Sequence, residues 1–225
     1  MVKNSAILIT AYCGGNDPVY YTTGNEEQNA KKRHMAKTLA RHLGNSDYHV
    51  CMSSHSALDM DTQRACSSFI YDSDNSWQIC GLPLRPNHGV AEMTAIVNGL
   101  MMLKIKGFDW VLKLNYDQTP TLDYDNVIKT CSQLDADLAT YENATDYGMM
   151  AFWGNIDFII DSLPLDSLQT CEGAVETCWY NKIADSLMKP RVHGFASYEQ
   201  MFAVPDGTLL HHSYVGSALH EYNYQ

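Results

Sequence analysis

Short, wholly apolar runs alternate along the chain with longer stretches in which apolar residues recur every three or four positions. Ser5–Ala11 (SAILITA) is a run of the first kind and predicts a strand buried on both faces. A polar loop over 12–25 follows, with Gly14-Gly15-Asn16-Asp17-Pro18 as its turn signal. Residues 26–43 predict a helix: Met35, Leu39 and Leu43 share one face, Lys31, Arg33, Lys37 and Arg41 lie elsewhere, and Gly44-Asn45 supplies a stop. Strands are predicted over 48–53 and, more briefly, 69–71. After a loop carrying Pro83 and Pro86, residues 89–106 predict a long helix with Val90, Met93, Val97, Leu100 and Met101 on its apolar stripe.

Gly107 ends that helix, residues 109–114 (DWVLKL) predict the next strand, and Asn115-Tyr116-Asp117-Gln118-Thr119-Pro120 breaks it. A helix over 125–134 and a strand over 137–141 come next. The remainder is less regular. Residues 149–161 alternate apolar pieces around Gly154-Asn155, 171–188 predict a helix, and 192–214 hold short strand-like pieces.

Strand–helix alternation over the first 140 residues or so predicts an α/β fold with a mostly parallel central sheet and right-handed crossovers. Ligands of such sheets bind at the carboxyl ends of the strands. Those ends carry Thr10-Ala11-Tyr12, Ser53-Ser54-His55, Tyr71-Asp72 and Asn115-Tyr116-Asp117, so the polar punctuation converges on one edge. With no internal repeat and no linker, 1–225 reads as a single domain of a more regular half, 1–141, and a less regular one, 142–225.

Composition narrows the classes. Of 225 residues, 45% are hydrophobic and 18% charged, which supports a packed core. No apolar run approaches the ~20 residues of a membrane span. A formal net charge of −11 disfavours an extended nucleic-acid footprint, which needs Lys and Arg against phosphates, but leaves room for one nucleotide and a metal ion. The cysteines, Cys13, Cys51, Cys66, Cys80, Cys131, Cys171 and Cys178, are odd in number, scattered, and form no C-x-x-C pair. They read as mostly buried thiols of a reducing, cytoplasmic compartment. Asn143-Ala144-Thr145 fits the glycosylation triplet, with nothing else pointing to secretion. Gly14-Gly15 completes neither G-x-G-x-x-G nor a P-loop, and no G-x-S-x-G elbow occurs, which disfavours dinucleotide oxidoreductases, NTPases and α/β-hydrolases.

Asp117 is the residue with the most chemistry at the predicted edge. A carboxylate there can hold a divalent cation that bridges a diphosphate. It can equally form an Asx turn ahead of Pro120.

The order of the motifs carries a resemblance. Ser54-His55, then Ile70-Tyr71-Asp72-Ser73-Asp74-Asn75, then Ala95-Ile96-Val97-Asn98-Gly99-Leu100, then Val111-Leu112-Lys113-Leu114 before Asn115-Tyr116-Asp117 is similar to the sequence of elements in GT-A fold glycosyltransferases. The resemblance is closest to small family 2-like bacterial and phage nucleotide-sugar transferases. It covers about 60% of the chain, with element boundaries good to a few residues.

The resemblance implies a single Rossmann-like GT-A domain whose first half binds a nucleotide sugar and whose second half faces the acceptor. It implies transfer of a sugar from a nucleoside diphosphate sugar to a hydroxyl acceptor (glycan, lipid, protein or modified base) with Mn²⁺ or Mg²⁺. Thr10, Ala11 and Tyr12 would meet the nucleoside, with Tyr12 stacking on the base, and Asp72 or Asp74 would hold ribose or base. His55, Asn98, Asn115 and Tyr116 would line the donor site. Asp117 would bind the metal and one of His211 and His212 would complete its shell. Of Glu172, Glu176 and Glu199, the resemblance puts Glu176 first and Glu199 second as the base that takes the acceptor proton. A solvated helix-face glutamate and a surface histidine pair are the plainer readings of these residues.

The family motif is Asp-x-Asp, and this chain has Asn115 at its first position. An amide there accepts hydrogen bonds but adds no charge. A non-catalytic GT-A-like protein that binds a nucleotide sugar or glycan is therefore the alternative. A nucleotidyltransferase ranks third, for want of its Gly-rich N-terminal signature.

Overall fold

The structure is a computed structural model that describes residues 3–11, 13, 26–72, 88–118, 120, 122–142, 146–165, 175–185, 191–196 and 198–202. The chain runs β1 (Ser5–Ala11), α1 (Glu26–Gly44), β2 (Val50–Ser54), α2 (Met60–Ala65), β3 (Ser68–Tyr71), α3 (His88–Ile105), β4 (Trp110–Asn115) and α4 (Tyr124–Ser132). It continues with β5 (Leu138–Glu142), β6 (Tyr147–Asn155), α5 (Ile156–Ser162), α6 (Val175–Ala184), β7 (Val192–Phe195) and α7 (Tyr198–Met201). The seven strands form one sheet in the order β3-β2-β1-β4-β6-β5-β7. β1 pairs β2, β2 pairs β3 and β5 pairs β7 in parallel, whereas β5 and β6 are antiparallel. This is the mixed α/β, mostly parallel architecture that the alternation predicts.

Contacts group the described residues into two compact units. The first draws on Ile7–Gly99 and Leu114–Thr121, the second on Met1–Ala6, Leu100–Lys113 and Leu122–His211.

Every residue of β1 is buried, as expected of a strand with layers on both faces. Helix α1 buries Ala36, Leu39, Ala40 and Leu43. The short α2 is anchored to it by Lys37, which pairs with Asp59 at 2.9 Å and Asp61 at 3.2 Å. Sequence periodicity gives no sign of α2, whose MDTQRA holds little apolar surface. Its N-cap makes it: Asp59 accepts from the backbone N–H of Thr62 at 2.7 Å.

On α3 the buried residues are Met93, Ala95, Ile96, Leu100 and Leu103, while Met101 is 46% exposed. The predicted stripe through Val97 and Met101 is thus rotated. The helix is apolar on nearly all sides, so periodicity cannot select its buried face; close packing does. A Cβ on Gly99 would lie 2.2 Å from Leu8 Cδ1 and 2.8 Å from Cδ2. Only a glycine lets α3 lie this close to β1.

The second unit holds what the sequence leaves irregular. β6 is a nine-residue strand and α5 follows it directly, N-capped by Asn155, whose side chain accepts from the N–H of Phe158 at 3.0 Å. Trp110 and Trp153 stack at 4.4 Å, with Lys3 Nζ 3.5 Å from the Trp110 centroid. The fully buried Lys113 donates from Nζ to the Met149 carbonyl. Trp179 of α6 is buried and donates to Ser162 Oγ at 2.9 Å.

Among the described cysteines, Cys13, Cys51, Cys66 and Cys131 are free, as expected of thiols. Cys178 is the exception and is disulfide-bonded. No helix among the described residues is long and apolar enough to cross a membrane.

Two outcomes follow from this packing. Gly99→Ala gains about 1 kcal/mol of helix propensity but forces a methyl into a filled core, so urea denaturation should show a net loss of about 1–2 kcal/mol. Asp59→Ala should cost about 1 kcal/mol at neutral pH through the lost cap. The Lys37 ammonium and the Thr62 N–H hold the Asp59 carboxyl down at about 2, against 3.8 ordinarily. A depressed carboxyl stabilises the fold above its unfolded value and ceases to do so as pH falls through the folded one. The difference in Tm between wild type and Asp59→Ala should therefore be full at pH 7 and shrink between about pH 4 and pH 2.

Candidate functional site

The first unit gathers the carboxyl ends of β1, β2, β3 and β4. Backbone bonds carry the ladders past the strand ends. His55 N donates to Ala11 O at 3.2 Å, Asp72 N to Ser54 O at 3.0 Å, and Tyr116 N to Thr10 O at 2.9 Å. The residues just beyond the strands are thereby held almost as firmly as those within them. Ser54 and Ser56 add a buried hydroxyl knot. Ser54 Oγ donates to Ser56 O at 2.8 Å and accepts from Ser56 N at 3.0 Å, while Ser56 Oγ accepts from Cys13 N at 2.9 Å.

Side chains converge across this edge. Thr10 is 2% exposed, and its hydroxyl lies 2.9 Å from Glu92 Oε1 and 3.2 Å from Asn115 Oδ1. Asn98 donates from Nδ2 to Asp72 Oδ2 at 2.9 Å. His55 is buried and its Nδ1 sits 3.2 Å from Asp72 O. A carbonyl only accepts, so Nδ1 carries a proton in this contact. A backbone turn closes after β4, with Gln118 N donating to Asn115 O at 3.2 Å. Asp117 lies in that turn and is 5% exposed, and Gln118 is 4% exposed.

Electrostatics follow the geometry. Desolvation, then Asp117, Cys13 and Glu92, push the Tyr116 phenol well above its ordinary value, so it stays protonated and can donate. Burial pushes the Cys13 thiol up to about 12, opposed by Lys32 and Arg33 of α1, and a thiol held there is no nucleophile. Two carboxylates, Asp117 and Glu92, thus face the region of Tyr116, with Lys32 and Arg33 bearing on its Cys13 side.

Thr10, Ala11, His55, Asp72, Asn98, Asn115, Tyr116 and Asp117 all belong to the first unit, at or beside its strand ends. Glu176, half-buried on α6, and Glu199 on α7 belong to the second. Tyr12, Asp74, Glu172, His211 and His212 lie outside the described residues. Among the described residues no group of three or more His, Cys, Asp and Glu is placed to hold a metal ion. Sequence reasoning placed Ser53 and Gln118 at this edge without giving them a role, and it overlooked Glu92. One signal was available for Glu92, which is the lone acid in HGVAEMTAIVNGLMMLKI and stands two helical turns before Gly99.

No protein-family model matches the chain, and no curated protein matches it. Solved structures do. The chain is similar over 86% of its length to 80% of a Desulfovibrio desulfuricans protein described as a nucleotide-diphospho-sugar transferase, with TM-score 0.53 and 13% identity. A Leptospira borgpetersenii cytidylyltransferase (TM-score 0.46, 14% identity, 87% of this chain and 76% of that one) superposes more loosely. So does a Thermus thermophilus mannose-1-phosphate geranyltransferase (0.39, 11%, 84% and 72%). At these identities the likeness is one of fold, and the two looser matches carry no argument.

Thr10→Val keeps shape and removes the hydroxyl shared by Glu92 and Asn115. Urea denaturation should show a loss of about 1–2 kcal/mol, and Thr10→Ser, which keeps the hydroxyl, should lose less than half as much.

Proposed function

We propose that the chain is a glycosyltransferase that moves a sugar from a nucleoside diphosphate sugar to a hydroxyl acceptor with Mn²⁺ or Mg²⁺. The observation that carries this reading is the buried Asp117 in the turn that closes after β4, at the same carboxyl edge of a mostly parallel sheet where Thr10 meets Glu92 and Asn115. That edge is where α/β sheets bind nucleotides. The fold it belongs to is shared with the D. desulfuricans protein described as a nucleotide-diphospho-sugar transferase.

The donor set suits a cation that arrives with its substrate. Mg²⁺-like ions are commonly held by one or two carboxylates, with diphosphate oxygens and water completing the shell, so a full protein cage is not required. Asp117 is the protein ligand in this reading, and His211 or His212 adds a second. When bound, the ion neutralises the charge of the leaving diphosphate.

The chain's own residues do the remaining work. Asp72, held by Asn98 and next to His55, accepts from the nucleoside. Tyr116, kept protonated, donates a hydrogen bond to a donor oxygen. Tyr12 stacks on the base. Glu176, with Glu199 as second choice, takes the acceptor hydroxyl's proton as the new glycosidic bond forms.

Asn115 favours one other reading, a binding protein that holds the nucleotide sugar without turning it over. Turnover separates the two: a transferase slowly hydrolyses its donor when no acceptor is present.

Calorimetry with UDP, GDP, CDP and ADP in MnCl₂ should give a micromolar Kd for at least one of them. Asp117→Asn should weaken that binding at least tenfold with Tm within a few degrees of wild type, and EDTA should weaken the wild-type protein to the same level. Binding indifferent to both EDTA and Asp117→Asn would rule out the metal.

A further inference from the structure

The site holds an acid to which the functional reading gives no task. Glu92 projects from α3 onto the β1 end because Gly99, two turns later on the same helix, is packed against Leu8. Leu8 and Thr10 lie two apart on β1 and share a face, so the helix that rests on the one reaches the other. The Thr10 hydroxyl lies 2.9 Å from Glu92 Oε1 and 3.2 Å from Asn115 Oδ1. Glu92 and Asn115 are each half-buried, whereas Thr10 beneath them is 2% exposed. The arrangement is a hydroxyl floor under a carboxylate on one side and an amide on the other.

A second observation at the same place points to a ligand. Ser53 is the register partner of Thr10 in the parallel β1–β2 ladder, so its side chain shares that face. Ser53 is fully buried, and its Oγ has no hydrogen-bond partner among the described residues. A buried hydroxyl left unpaired is costly and is normally satisfied by water or ligand. Near β4, Gln118 Nε2 is likewise buried and unpaired among the described residues. A hydroxyl, an amide and a carboxylate together suit a partner that both donates and accepts, as a vicinal diol does. A phosphate would be repelled by Glu92.

We infer that Glu92 reads the ribose diol of the nucleoside diphosphate, standing in for the carboxylate that Asn115 does not supply. The inference rests on the nucleotide-sugar reading above. It also accounts for Asn115. An aspartate there would place a second carboxylate across the same Thr10 hydroxyl from Glu92, and a single O–H cannot satisfy two facing anions.

The test is calorimetry in MnCl₂ with the tightest-binding ribonucleoside diphosphate from the UDP, GDP, CDP and ADP set, beside its 2′-deoxy and 3′-deoxy analogues. Wild type should prefer the ribonucleotide over at least one deoxy analogue by about tenfold or more, since hydrogen bonds to an ionised acceptor are the strong ones. Glu92→Gln should lose that preference through weaker ribonucleotide binding, with deoxy binding within about twofold of wild type. Moving the charge across the hydroxyl, in Glu92→Gln with Asn115→Asp, should recover most of the preference. Glu92→Asp, which keeps the charge on a shorter arm, should show a preference between wild type and Glu92→Gln, and it serves if Glu92→Gln does not fold. An undiminished preference in the Glu92 variants, an equal fall for ribo- and deoxynucleotides, or no recovery in the double variant would each overturn the inference while leaving the transferase reading in place. Failure of wild type to bind any of the diphosphates would overturn both.

Discussion

The close contact between Gly99 of α3 and Leu8 of β1 is the constraint from which the site follows. Helix α3 is apolar on almost every side and could settle on the sheet in several rotations. The absence of a side chain at one position selects a single rotation and depth. Glu92 then falls on Thr10, Asn98 on Asp72, and Met101 faces outward. A local packing rule inside the core thus determines which polar groups meet at the edge, some two helical turns away.

The edge itself is built by over-running the ladders. Three backbone bonds extend the parallel pairing beyond the strands, and the Ser54–Ser56 knot secures the turn after β2. Burial above all, with Asp117, Cys13 and Glu92 adding to it, keeps the Tyr116 phenol protonated. In the reading proposed above, the diol of a nucleoside diphosphate faces Glu92 and its cation faces the turn that carries Asp117.

Much of this was legible in the sequence because it depends on patterns with a physical period. The run SAILITA predicts a buried strand, and β1 spans Ser5–Ala11 as read. The long helices and β4 were legible within a residue or two, and with them the convergence of Thr10, His55, Asp72 and Asn115-Tyr116-Asp117 on one edge. What escaped has identifiable causes. Helix α2 arises from the Asp59 cap rather than from an apolar stripe. β6 is buried along nearly its whole length, so YGMMAFWGN shows no alternation to read, and its antiparallel pairing with β5 breaks the expected βαβ rhythm. Glu92 escaped because its role depends on helix rotation, which an all-round apolar helix does not encode in its period.

The central claim is that the carboxyl edge of β1 and β4 is a nucleoside diphosphate site organised around Asp117. The most direct measurement is a crystal structure of the protein with MnCl₂ and the tightest-binding nucleoside diphosphate. The account predicts the ribose beside Thr10, Glu92 and Asn115, and manganese held by the Asp117 carboxylate at the diphosphate. A nucleotide bound away from that edge, or diphosphate held there with Asp117 turned from the metal, would contradict it.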